Sequence, residues 1–352
     1  MSGNNNRYRS RGNRRRKRFP VFSIVLIIGF LGIIVFVLVH VLSDSPETPD
    51  ENSISAPVAD DAPATDRSRS VDVIFDTDDV PDLNDEPVSN DAAPPANPFN
   101  NQDFPTFHSY TSVSKDIMDI HRGNLLLVNN NYFYSIPDDL DLVRIGDFGS
   151  PSIRLQLPGF LLLRTVFDPL DKMMQDYIDE TSNKAVTIIA TFRTHDTQRT
   201  MQQRHGSLAA RPGHSEHHTG LAFDFGIFVG NDRSMFTGTG STAWFAENSY
   251  KYGFILRYPE DKINITETEY EPWHFRYVGL PHSYIMHENN LALEEYINFL
   301  RDYSVIEPFN TTQNNALYSL YFTADTEVMV PQNTDFDISG NNVDGFIVTI
   351  SH

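Results

Sequence analysis

From Phe19 to Leu42 the chain runs for 24 residues without a single Asp, Glu, Lys or Arg. No other feature restricts its folding as much. A run of about 20 apolar residues is long enough to cross the hydrocarbon core of a bilayer as a helix. A cleaved signal peptide has a shorter apolar stretch followed by a small-residue cleavage site. Here the run passes directly into Ser43, Asp44 and Ser45, with no such site. The expectation is a retained transmembrane helix over 19–42. The eighteen residues before it hold Arg7, Arg9, Arg11, Arg14, Arg15, Arg16, Lys17 and Arg18, and no acid. The positive-inside rule keeps such a basic tip, 1–18, in the cytoplasm. Everything after Ser43 then lies outside, in a single-pass protein of the cell membrane.

The remainder of the chain is strongly acidic. Setting those eight bases aside leaves 19 of the 27 Lys and Arg against 47 Asp and Glu, a net of −28. Binding to nucleic acid needs a basic footprint, so nucleic acid is excluded as a partner. There is no cysteine, which removes disulfides, thiolate metal ligands and a cysteine nucleophile together. Residues 43–104 are rich in Asp, Glu, Pro, Ser, Asn and Ala, with little apolar periodicity beyond Val71 to Phe75. That composition buries too little surface to offset the entropy of ordering. It reads as a disordered acidic linker, extended by its own charge, that holds the next domain away from the membrane.

Aromatic and aliphatic density rises after residue 105 and persists to 304. Leu125 to Pro137 reads as a strand and turn. Asp168 to Thr181 places Leu170, Met173, Met174, Tyr177 and Ile178 at helical spacing. Ala185 to Phe192 is a buried, β-branched strand. Ser241 to Tyr252 reads as a helix stopped by Gly253, followed by a short strand, and Pro281 to Tyr303 as one long helix. Residues 305–352 alternate short apolar runs with polar ones and read as a small C-terminal β extension. Strands and helices mix without a βαβ period, so the fold class is α+β rather than doubly wound.

Two segments concentrate the chemistry: Arg211 to Gly226 (RPGHSEHHTGLAFDFG) and Tyr270 to Gly279 (YEPWHFRYVG). They hold His217, His218, Asp224, Glu271 and His274. A catalytic zinc takes three His or carboxylate ligands and keeps a position open for water, and this inventory leaves one carboxylate over as a general base. Leu221, Phe223, Phe225 and Ile227 alternate with Ala222, Asp224 and Gly226. In a strand the large apolar set faces a core, and Asp224 stands alone on a face of small residues. Strict alternation would point Glu271 and His274 apart. Pro272 makes a regular central strand unsuited there, and a bend would bring the two to one cavity.

In these residues the chain resembles the VanY-type D-alanyl-D-alanine carboxypeptidases, of the group shared with lysostaphin-type peptidases and the hedgehog signalling domain. Ser215, His217, Gly220, Ala222 and Asp224 match the family's S-x-H-x-x-G-x-A-x-D motif, and Glu271 to Gly279 its second motif. The similarity extends over Gly123 to Tyr303, including Gly123–Asn131, Thr191–Gln198 and Trp244–Pro259. It implies a mixed sheet with flanking helices and one zinc ion per chain. His217, Asp224 and His274 would be the ligands, Glu271 the catalytic base, and Arg193 the group that steadies the substrate carbonyl. Ser215, Gln198 and His218 would lie near the substrate. The family often carries Gln at the position of His218, and a G-Y-R-S sequence where this chain has Thr191-Phe192-Arg193-Thr194.

The activity so implied is removal of the terminal D-alanine from peptidoglycan stem peptides at the outer face of a bacterial membrane. No protein nucleophile is needed, in keeping with the missing cysteine. L,D-carboxypeptidase or endopeptidase activity would use the same scaffold, and a non-catalytic zinc-bearing wall-binding module is a different class. Retention of Glu271 and Arg193 counts against the last. His195, His205, His214 and His282 are read as non-ligands, and Trp273, Phe275 and Tyr277 as core.

Overall fold

The computed structural model describes residues 104–206, 209–230 and 232–352. The basic tip, the helix expected over 19–42 and all of the linker except Phe104 lie outside the described residues. Among the described residues, no helix is long and apolar enough to cross a membrane.

The architecture is mixed α and β, and an antiparallel sheet carries the second half of the motif-bearing region. Its strands are β4 (Val186–Ala190), β5 (Ala222–Val229), β7 (Phe254–Leu256) and β8 (His274–Tyr277), in the order β4-β5-β8-β7. Strand β6 (Asp232–Ser234) pairs with the end of β5, while β2 (Leu142–Arg144) and β3 (Leu161–Leu163) pair in a sheet of their own. The alternation read in the sequence holds in β5. Phe223 and Phe225 are buried, and their rings join those of Phe254, Phe275, Phe236 and Phe245 in one aromatic core. Over that face lies α1 (Arg164–Thr181), which contributes Val166, Phe167, Leu170, Met173, Met174 and Tyr177 at the i, i+3, i+4 spacing of an amphipathic helix. Trp273 and Tyr277 pack against the same core.

Two elements differ from the sequence expectation. Beyond the short α3 (Ala243–Asn248) and α4 (Ile263–Thr266), Pro281 to Tyr303 is not one helix but α5 (His282–Glu288) and α6 (Leu293–Leu300). The adjacent pair Asn289-Asn290 ends the first: Asn290 takes φ +48, and Leu291 N–H returns to Met286 O at 2.9 Å, a 6→1 helix stop. Leu125 to Val128 is buried throughout but belongs to no sheet. Its backbone is satisfied from afar, with Leu125 N–H donating to Ser339 Oγ, Leu127 N–H to Asn341 O, and Arg276 donating to Leu126 O. Periodicity reports burial there and cannot report which distant groups supply the bonds.

The C-terminal residues form β structure. Strands β9 (Phe309–Gln313), β10 (Ala316–Thr323), β12 (Asp335–Gly340) and β13 (Phe346–Ser351) make a four-stranded sheet in the order β12-β13-β10-β9. Asn314 and Asn315, both at positive φ, form the two-residue turn between β9 and β10. β11 (Glu327–Pro331) pairs instead with β1 (Tyr110–Ser114). Phe309, Leu320 and Ile347 share a hydrophobic cluster with Leu125, Leu127, Val278 and the helices α5 and α6. The extension thus shares its core with the segments that lead into the motifs.

Candidate metal centre

Asp224 on β5 lies directly opposite His274 on β8 in an antiparallel register that also pairs Phe223 with Phe275. Directly opposed residues project to the same face of a sheet. One pairing therefore sends two phenyl rings into the core and presents a carboxylate and an imidazole together on the other side. On its other flank Asp224 opposes Ala190, a small residue that leaves the face open. A register irregularity between Ile188 and Ala190 follows the pattern of bulges beside functional sites, and just beyond it the chain reaches Arg193.

His217 arrives from a tight 3-10 turn, Glu216–Thr219, closed by Gly220 at φ +71. A Cβ on Gly220 would come within 3.2 Å of the Leu163 backbone nitrogen and 2.8 Å of Leu142 Cδ2. The room left by Gly226 is likewise filled by protein, here by the Ile189 side chain. Both glycines serve close packing beneath the site rather than the approach of a ligand.

The potential ligand atoms of His217, Asp224 and His274 all lie within 4.8 Å of one another, and all three residues are buried. His217 Nε2 is 3.4 Å from Asp224 Oδ2, and His274 Nδ1 is 2.8 Å from Asp224 Oδ1. Burial, with the nearby Arg193 guanidinium, lowers the His217 pKa to about 4 and keeps its ring neutral. Burial also opposes charge on His274, but the hydrogen bond to Asp224 and the nearby Glu216 carboxylate outweigh it and push that imidazole up to about 9. Two imidazoles and one carboxylate, converging and withdrawn from solvent, fit a three-ligand zinc site with an open fourth position.

Glu271 reaches the same cavity because β8 begins only at His274. His274 N–H bonds back to Glu271 O at 3.1 Å, a turn through Pro272 that overrides strand alternation. The Glu271 carboxylate stands 3.9 Å from His274 Nδ1. Burial lifts its pKa above the ordinary carboxylate value, against the pull of His274, and the Asp224 charge adds to the rise. Arg193 enters from the other side, 3.3 Å from Asp224 Oδ2.

The remaining predicted residues divide. Ser215 is buried at the entry to the 3-10 turn. Gln198 is buried in α2 (His195–His205), where its Oε1 accepts from Arg193 at 3.4 Å and its Nε2 donates to Ala210 O. It braces the arginine. His218 is fully buried, and both ring nitrogens are occupied by backbone: Nδ1 with Arg193 O at 2.7 Å and Nε2 with Gly213 N–H at 3.0 Å. It pins the loop around Arg193 and has no nitrogen left to offer a substrate. Sequence reasoning missed Glu216, Arg257 and Arg276, which are buried and ion-paired behind His274. The available signal was two arginines inside short apolar strands, where a charge needs a partner.

Comparison with known proteins agrees with this geometry. Residues 161–280 match the VanY family, described as D-alanyl-D-alanine carboxypeptidase. The chain is 36% identical over 238 residues to a D-alanyl-D-alanine carboxypeptidase of Enterococcus faecium, covering 66% of this chain and 76% of that protein. It is 41% identical over 130 residues to the bifunctional D-Ala-D-Ala dipeptidase and D-Ala-D-Ala carboxypeptidase VanXYC of Enterococcus gallinarum, covering 33% of this chain and 68% of that one. Among solved structures it is similar to the vancomycin resistance D,D-dipeptidase VanXYg in complex with a D-Ala-D-Ala phosphinate analogue. That match has a TM-score of 0.62 and 32% identity, and spans 70% of this chain and all of the other.

Proposed function

The chain belongs to the VanY family of D-alanyl-D-alanine carboxypeptidases, and on that premise we propose that it trims the terminal D-alanine from peptidoglycan stem peptides at the outer face of the membrane. The observation that carries the reading is the convergence of His217, Asp224 and His274 on one point, with Glu271 beside it. These three side chains would hold a zinc ion. When bound, zinc supplies a Lewis acid and lowers the pKa of a coordinated water to about 7.

The chain's own groups account for the rest of the reaction. Glu271 accepts the proton of the attacking water, and its partly desolvated carboxyl suits a group that must take up and return a proton. Arg193, braced by Gln198 and by the backbone that His218 fixes, presents its guanidinium to the oxygen where negative charge develops. Glu271 then delivers the proton to the departing amine of D-alanine. Burial of the ligand set limits bulk water at the centre.

The surroundings of the domain follow from the first hundred residues. The basic tip 1–18 would stay in the cytoplasm, residues 19–42 span the membrane, and 43–104 form an acidic spacer. Beyond it would come the peptidase domain, 105–304, and the β extension, 305–352. Proteolysis of intact cells stripped of wall tests the topology: external protease should remove the domain, and full protection would refute it.

The activity is tested by metal analysis of the purified protein and by product mass from a stem pentapeptide ending in D-Ala-D-Ala. One zinc per chain and a product shorter by one alanine are expected. Release of a dipeptide, or cleavage only of a tetrapeptide stem, would overturn the D,D-carboxypeptidase reading. His217→Ala should lose the metal, and undiminished zinc in that variant would remove His217 from the ligand set.

A further inference from the structure

Behind the metal centre lies a cluster of charge shut away from water. The side chains of Glu216, Arg257 and Arg276 are wholly buried, and Glu294 is nearly so. Buried charges persist only where they are paired, and these are. Arg257 Nε donates to Glu216 Oε1 at 2.8 Å, and Arg276 Nη1 donates to the same oxygen at 2.7 Å. The other end of Arg257 forks onto both oxygens of Glu294 at 2.9 and 2.6 Å. Arg276 Nη2 is held by Asn124 O and Leu126 O.

Both bonds to Glu216 reach it through Oε1. Its second oxygen, Oε2, is buried and has no hydrogen-bond partner. Facing it at 3.5 Å is His274 Nε2, which is also buried and also without a partner. The opposite nitrogen of that ring, Nδ1, is the one turned to Asp224 and the ligand cluster. Orphaned buried polar atoms are rare. Two that face each other across a gap slightly longer than a hydrogen bond suggest a pair that closes when the centre is loaded.

Imidazole chemistry supplies the reason. A ring that gives its Nδ1 lone pair to a metal must carry its proton on Nε2. That N–H points at Glu216 Oε2, an acceptor whose carboxylate two arginines keep from turning. We propose that Glu216 is a positioning residue of the metal centre. It accepts a hydrogen bond from the Nε2–H of His274 and sets that ring's tautomer and plane. The inference rests on His274 being a zinc ligand, as proposed above. Glu216 itself touches neither substrate nor metal.

The test compares the wild type, Glu216→Gln and Glu294→Gln. Zinc affinity is read by competition with a chromophoric chelator, and site geometry by the visible spectrum of the cobalt(II)-substituted protein. Glu294→Gln disturbs the same Arg257 but does not reach His274. Glu216→Gln should weaken zinc by about 10- to 100-fold, the usual range for partners behind a ligand, and should shift the cobalt bands. Glu294→Gln should leave both as in the wild type. Equal losses in the two variants, or none in Glu216→Gln, would overturn the inference and leave Glu216 a mere counter-ion for buried arginines. Should Glu216→Gln fail to fold, nitrogen-15 NMR of histidine in the zinc-loaded wild type decides. A His274 Nε2–H proton shifted downfield by a hydrogen bond to a carboxylate is expected, and the shift of an unbonded N–H refutes the idea. A wild type that takes up no zinc would show itself first in the chelator assay and would sink the functional reading, and this inference with it.

Discussion

Replacing Glu271 by Gln separates catalysis from architecture, because the structure gives the Glu271 side chain no supporting job. The hydrogen bonds that shape its turn are made by backbone: Glu271 N–H to Tyr258 O and His274 N–H to Glu271 O, each 3.1 Å. Its carboxylate stands 3.9 Å from His274 Nδ1, beyond bonding range but facing the ligand set. Gln keeps the volume and removes the base. A positioned general base contributes roughly 10²- to 10⁴-fold in rate, or about 3–5 kcal/mol of transition-state stabilisation. The variant should therefore lose that factor in kcat with zinc content unchanged. Stability should move the other way. The folded-state pKa of Glu271 is raised, chiefly by burial, so its charged form opposes folding. That opposition is absent at low pH and grows as pH rises past the unfolded carboxylate value, about 4.3. Metal-free Glu271→Gln should consequently melt at or above the wild-type temperature at pH 7, and the difference should vanish in acid. The assays are kcat on the pentapeptide, zinc by elemental analysis, and melting curves at several pH values. Wild-type turnover would remove Glu271 as the base; lost zinc or a lower melting temperature would show that its side chain is structural after all.

Other expectations follow from the same geometry. Arg193→Ala should lower kcat about 10²- to 10³-fold, as for loss of one oxyanion donor, with zinc retained; a change confined to KM would assign Arg193 to binding alone. Phe223→Ala removes a fully buried ring from the aromatic core beneath Asp224 and should cost about 3–5 kcal/mol in denaturant unfolding; a loss below 1 kcal/mol would mean the core collapses around the gap. His282 is buried between Tyr296 and Thr349, and burial lowers its pKa to about 3. Its neutral form favours the fold, so its contribution is complete above about pH 6.5 and falls by up to about 1.4 kcal/mol per unit as pH drops from there toward 3. His282→Gln should flatten that part of the stability profile, and an unchanged slope would refute the assignment.

Much of the centre was legible because it obeys local rules. The period-two pattern from Leu221 to Ile227 predicts both a strand and an outward Asp224, and β5 shows each. Pro272 signals the bend that brings Glu271 to His274. What stayed hidden was tertiary. Leu125 to Val128 looks like a strand because it is buried, but its bonding partners lie far along the chain, at Arg276, Ser339 and Asn341. The break between α5 and α6 depends on Asn290 entering a left-handed conformation, which an asparagine pair permits without requiring. Gln198 and His218 carry polar groups suited to a substrate, and only the fold shows those groups already engaged. The buried arginines are signalled only by their place in short apolar strands; exposure is the default for arginine, and the distant carboxylate that pairs them is seen only in the fold.

The pairing of β5 with β8 carries one more implication. Slipping one strand past the other by a single residue would turn Asp224 toward the hydrophobic interior and expose phenyl rings to water. Misthreaded chains would then lack a metal site and a stable interior at once. An intact set of metal ligands therefore reports a correct strand alignment.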